Sequence, residues 1–431
     1  MHEHDPREFV RALQQILVSD SKRIGFLAGA GTSMLKERLV INKIEKAPFS
    51  LNPPNTLPLG DLNPKSIVPG TAEMTSTIIS NFNGKDKVAI DLIKKELENE
   101  KTIFHIESLL SKIAQKELVV GDEKLCGLDK KELHILKNEI EKHITRMVSV
   151  HSNEDFKKWN LTHYKFARWI HDATRKNCVE IFTTNYDYLF EIAFEKSNIP
   201  YFDGFIGSFN PFFHSSSLED DTLLKGWTKL WKVHGSLGWD YDGDERKIIR
   251  GDKSSDKIMI FPSILKYDNS KKQPYVSYID RLHRFLSTDD TVLFICGYAM
   301  ADQHINDTIL NALAKSKTSH AIVFLYDDFI ENSDISRIAE NERRLSIYGS
   351  RNAVIGGRFG KWKIKNRPPE EDEIQIGTYF DQDAAEPKSK SGQEDEDEPS
   401  FEGNFKLVDF RNLVNFLADL NYTNYITKAK K

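Results

Sequence analysis

Apolar positions along this chain repeat at two different periods, and the switches between them outline an α/β protein. Over residues 5–19, Phe9, Leu13, Ile16 and Leu17 recur at helical spacing and predict an opening helix. It leads directly into Ile24-Gly25-Phe26-Leu27-Ala28, a short apolar run that ends in glycines. Such a run is the form expected of a buried parallel strand feeding a ligand loop. Further strand-like runs fall at 178–183, 228–233, 257–261, 291–296 and 320–326, several of them followed by a helical segment. This alternation predicts an α/β, Rossmann-like, mostly parallel sheet with helices on both faces. Two helical patterns interrupt it, Ile103, Ile106, Leu109, Leu110 and Ile113, then Leu133, Leu136, Ile140, Ile144 and Met147. They predict a helical insertion over about residues 85–175.

The remaining stretches set the expected domain plan. Residues 45–70 are rich in Pro, Asn and Gly without a sustained period, and read as a long loop or lid. A catalytic domain is expected over 1–330, a C-terminal extension over 331–367, and an acidic disordered linker over 368–400. Within 401–431, Phe410, Leu413, Val414, Leu417 and Leu420 follow helical spacing. They predict a short amphipathic terminal helix, with docking onto its own domain and binding to a partner equally open.

Charge and composition narrow the function classes. Twelve acids and two lysines between Glu370 and Glu398 give a balance of −10. Set against the formal charge of −5, that leaves the rest of the chain near +5. A mildly basic body suits an anionic ligand but lacks the concentrated basic face that direct nucleic-acid binding demands. No uncharged run approaches the roughly 20 residues that cross a bilayer. The start, Met1-His2-Glu3-His4-Asp5, lacks a basic segment followed by an apolar one, so a cytoplasmic location is expected. Cys126, Cys178 and Cys296 lie far apart and form no close pair of the metal-binding or disulfide kind.

Four constellations of polar residues sit at the tips of the strand-like runs. Gly29-Ala30-Gly31-Thr32-Ser33 follows the first strand, where glycines let the backbone approach a pyrophosphate closely. Alone it reads more readily as a tight connection, because the full GxGxxG fingerprint is absent. Phe182-Thr183-Thr184-Asn185-Tyr186-Asp187 ends the second strand. Its side chains lie where open α/β sheets bind ligands, although Asn185 or Asp187 is as readily a cap for the helix that follows. Trp231-Lys232-Val233-His234-Gly235-Ser236 brings an imidazole to a third tip, suited to act as a base or to hold a sugar hydroxyl. Last, Phe294-Ile295-Cys296-Gly297-Tyr298 is followed by Ala301-Asp302-Gln303-His304, with Asp302 read as a helix cap.

In this order, Gly-Ala-Gly-x-Ser, Thr-x-Asn-x-Asp, His-Gly and a late strand ending in Gly-Tyr resemble the motif series of the sirtuin-like superfamily. The stretch Phe104-His105-Ile106-Glu107-Ser108-Leu109-Leu110 also resembles the "NIE-x-LL" helix of the bacterial antiphage-defence branch. The likeness spans about residues 20–330. It implies that Gly29, Ala30, Gly31 and Ser33, with Thr184 and Gly235, hold the NAD phosphates and adjoining ribose, and that Gly297 and Tyr298 border the adenosine half. It implies that Asn185 holds the nicotinamide ribose and a water, that Asp187 contacts the carboxamide, and that His234 acts on the ribose hydroxyls. Two departures bear on the reaction. Three scattered cysteines cannot build the four-cysteine zinc module of protein-deacylating sirtuins, so no zinc is expected. Met34-Leu35-Lys36-Glu37-Arg38 also replaces the usual Gly-Ile-Pro-x-Phe-Arg run.

The expectation is therefore an NAD hydrolase that releases nicotinamide and ADP-ribose, in antiphage defence by NAD depletion. The alternatives are a non-catalytic sensor of NAD or ADP-ribose and a protein deacylase. The resemblance further implies a homo-oligomer, with a HerA-type ATPase or a short prokaryotic Argonaute as partner. The segment Tyr201-Phe202-Asp203-Gly204-Phe205-Ile206-Gly207-Ser208-Phe209 is open to two readings, a lid over the ligand or a packed loop.

Overall fold

A computed structural model describes residues 2–34, 67–100, 102–173, 175–242, 244–251, 273–366, 375–382, 384 and 402–429. The expected strand at 257–261, nearly all of the 45–70 loop and most of the acidic linker lie outside the described residues.

The chain opens with strand β1 (His2–His4) and helix α1 (Pro6–Val18), whose first turn is held by Asp5 accepting from the Arg7 N–H. Strand β2 (Arg23–Ala28) follows. Then come α2 (Thr71–Ile79), α3 (Gly84–Asn99), α4 (Ile106–Val119), α5 (Lys130–Val148), α6 (Thr162–Asp172), β3 (Glu180–Thr183) and α7 (Leu189–Lys196). Short strands β4 (Tyr201–Phe202), β5 (Phe205–Ile206) and β6 (Phe212–Phe213) precede β7 (Thr228–Lys232), β8 (Trp239–Asp242) and β9 (Lys247–Arg250). The last third holds α8 (Tyr275–Ser287), β10 (Thr291–Cys296), α9 (Gln303–Lys315), β11 (His320–Phe324), α10 (Asp334–Asn341) and β12 (Leu345–Tyr348). It ends with β13 (Asn352–Ile355), β14 (Arg358–Trp362), β15 (Phe380–Asp381), β16 (Asn404–Phe405) and α11 (Phe410–Ala429).

Among the described residues ten strands form one sheet in the order β1-β14-β13-β12-β11-β10-β2-β3-β7-β4. Only β13 runs against the others. Taken along the chain, the central six (β2, β3, β7, then β10, β11, β12) give the doubly wound order 3-2-1-4-5-6, the Rossmann-like α/β arrangement expected from the sequence. Both faces are buried, so the side chains of each strand divide between two cores at the two-residue period. Val292, Phe294 and Cys296 of β10 enter the core shared with α1, α6, α7 and α11. Leu293 and Ile295 enter the opposite core with α8, α9 and α10.

The boundary expected at 330 falls inside this sheet, because β12, β13 and β14 extend it by hydrogen bonding onto β11. Helices α2 to α5, starting at Thr71, share a separate hydrophobic core of their own. α6 instead packs Phe166, Ala167 and Ile170 against the sheet. The terminal helix docks on α6 through Phe410, Leu413, Val414 and Leu417. The segment 201–209 forms β4 and β5 with Phe202 and Phe205 in the core, a packed connection. No helix of the described residues is long and apolar enough to cross a membrane.

Candidate active site

In a doubly wound sheet the ligand crevice opens at the carboxyl ends of the strands where the order reverses, here between β2 and β10. Those two tips are tied together by backbone hydrogen bonds from Gly29 N to Cys296 O and from Gly31 N to Gly297 O, both 2.9 Å. The approach needs glycines. A Cβ on Gly31 would lie 2.7 Å from the Gly297 Cα, and Gly297 itself sits at φ +62°. β3 joins the same edge, where the Thr184 N–H and the Thr183 hydroxyl both donate to Ala28 O.

Above these tips lies a cavity of about 620 Å³, roofed by α2, α4 and α5 of the helical insertion. Its volume falls in the range that takes a cofactor-sized ligand. Of the sequence-derived candidates, Ala30, Ser33, Thr184, Asn185, Asp187, His234, Gly297 and Tyr298 line it. Gly29, Gly31 and Gly235 stand behind that wall, shaping the strand tips. Within the glycine loop, the N–H groups of Gly29, Gly31, Thr32 and Ser33 already donate to backbone carbonyls. Only the Ala30 N–H of this loop has no acceptor among the described residues. The loop is thus a tight turn whose direct offer to an anion is narrower than a full row of amides.

Asn185, 6% exposed, is fixed from one side. Its amide nitrogen donates to Gly29 O (3.0 Å), Thr32 Oγ1 (3.1 Å) and Ser33 Oγ (2.8 Å). A backbone oxygen only accepts, so the amide nitrogen must face Gly29 and Oδ1 is turned away from it. Ser33 Oγ in turn donates to Asp187 Oδ2 (2.7 Å), and Asp187 Oδ1 accepts from Leu189 N (3.0 Å) at the start of α7. Asp187 therefore satisfies the first N–H of α7 from the position before its N-cap, Tyr188, and also supports the chain of polar contacts behind Asn185.

His234 meets a partner that the sequence had presented only as a cap. Asp302 Oδ2 lies 3.1 Å from His234 Nε2, while Asp302 Oδ1 accepts from His304 N (2.9 Å) and Ile305 N (3.3 Å) at the start of α9. A carboxylate at Nε2 fixes the proton there and leaves Nδ1 as the acceptor of a neutral ring. The Tyr298 hydroxyl accepts from Asp302 N (3.2 Å) and lies within donating distance of Asp302 O (3.1 Å) and Asn306 Oδ1 (3.2 Å), joining the Gly-Tyr turn to the backbone of the residue that holds His234. Burial pushes the Tyr298 phenol well above its ordinary range.

Sequence reasoning missed three contributors. Asp302 was assigned its cap but not its imidazole. Lys232, 2% exposed, donates to the carbonyls of Asn185 (3.2 Å) and Asp187 and pairs with Glu191 (3.0 Å), so it holds the β3–α7 loop in shape. Glu107 and its neighbours on α4 reach the cavity from the insertion, and no local pattern places that helix over the sheet. Among the described residues no three His, Cys, Asp or Glu side chains gather as a metal-ligand set.

Three of the four strand-tip motifs, those on β3, β7 and β10, fall within one matched stretch. Residues 179–348 match a SIR2-like domain. The match supports a place in the sirtuin-like superfamily, whose domains use NAD, and an NAD-related function in general. The SIR2-like stretch contains Asn185, Asp187, His234 and Asp302; the glycine loop and the insertion lie before it. No curated protein matches the chain.

Proposed function

We propose that the chain is an NAD hydrolase that breaks the nicotinamide–ribose bond and releases nicotinamide and ADP-ribose. The observation that carries the reading is the meeting of Asn185, His234, Ser33 and Tyr298 around one dinucleotide-sized cavity at the switch point of the sheet. In NAD the leaving ring is already a cation, so the electron pair of the breaking bond neutralises it and no acid is needed. What the site must supply is stabilisation of an oxocarbenium-like sugar, contacts to its hydroxyls and a placed nucleophile. Asn185 Oδ1, turned away from the loop, is an acceptor for a ribose hydroxyl or a water. His234, held at Nε2 by Asp302, offers Nδ1 to a second hydroxyl. Asp187 stands behind Ser33 and Asn185 as a fixed negative charge near the sugar.

Asn185→Ala and His234→Ala should each lower nicotinamide release by at least about 100-fold while leaving the thermal unfolding transition in place. The check is chromatography of the products formed by the purified full chain with NAD, with and without an acyl-lysine peptide. Turnover that requires the peptide would make the protein a deacylase. Binding of NAD or ADP-ribose with no turnover under any condition would make it a sensor. Defence by NAD depletion, a homo-oligomer and a HerA-type ATPase or short Argonaute partner are extensions of the proposal that rest on the sequence resemblance alone.

A further inference from the structure

Three carboxylates of the described residues face the cavity, and two of them are engaged. Asp187 accepts from Ser33 Oγ and Leu189 N, and Asp302 accepts from His234, His304 N and Ile305 N. The third, Glu107, enters from the insertion on the first turn of α4. It is half-buried, and its carboxylate receives no hydrogen bond from any described residue. It lies close enough to the sheet side to act on Tyr186 and Tyr298, whose phenols burial raises first and the Glu107 charge raises further. The helix around it is well anchored. His105 caps it through Nδ1 to Ser108 N (3.2 Å), and Ile106 N donates to Thr75 Oγ1 (2.9 Å). The backbone that carries Glu107 is thus held in a capped, anchored turn.

We infer that Glu107 is the catalytic base of the water attack, so that the insertion supplies the residue that makes the site a hydrolase. The inference rests on the hydrolase reading above. In the step, the bond from the ribose carbon to the nicotinamide nitrogen breaks with its electron pair passing to the ring. A water oxygen bonds to that carbon, the water proton goes to the Glu107 carboxylate, and Glu107 then returns it to solvent. The sum is NAD and water giving nicotinamide, ADP-ribose and one proton. Among the described cavity carboxylates Glu107 alone receives no hydrogen bond from a described residue, and it enters from the insertion side of the cavity, across from the strand tips.

The acid is also suited to a purely structural part, since a glutamate in the first turn stabilises a helix end. The test must separate the two. Glu107→Gln keeps the shape and removes the base, and it should lower kcat for nicotinamide release about 100-fold with KM for NAD within about threefold. Its melting temperature should stay near that of the wild type. Glu107→Ala should be equally slow and should recover part of its rate in added formate, a small carboxylate able to take the vacated place. If E107Q turns over at the wild-type rate, or formate leaves E107A unchanged, Glu107 is not the base although the hydrolase reading stands. If the wild-type chain releases no nicotinamide, the hydrolase reading fails and this assignment fails with it.

Discussion

A lysine at 2% exposure has to be explained by what it holds, because an ammonium taken from water costs several kcal/mol unless it is fully paired. Lys232 meets two backbone carbonyls and the Glu191 carboxylate, and burial in turn raises the Glu191 pKa, with Lys232 opposing that rise. The carbonyls are those of Asn185 and Asp187, so the ammonium fixes the loop whose side chains face the cavity. Lys232→Met should therefore destabilise the fold by about 3–5 kcal/mol, since it strands Glu191 in the interior. Adding Glu191→Leu removes the stranded charge and should restore most of that stability. Nicotinamide release should stay low in the double variant, because nothing then tethers the loop carbonyls. Urea unfolding and product chromatography on the wild type, the single variant and the double variant test both halves. Full activity in the double variant would show that the tether is not needed. Lys232 stands in the quoted Trp-Lys-Val-His run, yet a lysine in a strand gives no local sign of burial; only the packing of α7 over β7 makes it interior.

The turn from β10 into α9 is the element on which the cavity floor depends. Gly297 holds φ +62°, and a Cβ there would lie 2.5 Å from Thr32 N and 2.7 Å from Gly31 C. Backbone atoms cannot step aside as a side chain can, so Gly297→Ala must part the β2 and β10 tips. The left-handed backbone and the overlap together predict a loss of about 2 kcal/mol or more, seen in thermal or urea unfolding, and a collapse of nicotinamide release. Gly121→Ala, with nothing within 4 Å of the added Cβ, is the control expected to change neither. This element was legible in the sequence, as were β2, β3, β7 and α1, because two-residue and 3.6-residue periods report burial directly. The small sheet of β5, β6, β9 and β8 was not, since strands of two to four residues are too short to show a period. β12 to β14 were read as an extension because nothing local says that a late hairpin will pair with an older sheet edge. The site shared this division. The polar strand tips were visible as motifs, whereas the α4 wall and the His234–Asp302 pair arise only when distant segments close over the sheet.

At the scale of the molecule, the terminal helix and the site share one buried imidazole. His163 on α6 packs against Phe190 of α7 at 4.7 Å between ring centroids and against Phe410 of α11 at 5.7 Å. Both of its ring nitrogens are buried without a hydrogen-bond partner among the described residues. Burial holds its pKa down to about 4; the Asp187 charge pulls it upward and Lys232 pushes it down further. The unfolded chain, titrating near 6.5, binds the proton more readily than the folded one. The stabilisation is therefore complete above about pH 6.5 and is lost as pH falls toward 4, to a limit of about 3 kcal/mol. Glu141 works the other way, since burial lifts its carboxyl to about 7 and its protonation favours the folded chain in acid. His4 and His320 are lowered by burial as His163 is. A comparison with His163→Leu isolates the imidazole from all three. Between pH 7 and 4.5 the leucine variant should lose about 2–3 kcal/mol less stability than the wild type. Phe410 is one of the two rings packed on His163, so protonation in acid should loosen α11 from α6. Hydrogen exchange of amides 410–420, normalised to the unfolded rate at each pH, should accelerate below pH 6.5 in the wild type and stay flat in the variant. Equal acceleration in both would show that the terminal helix does not answer to His163.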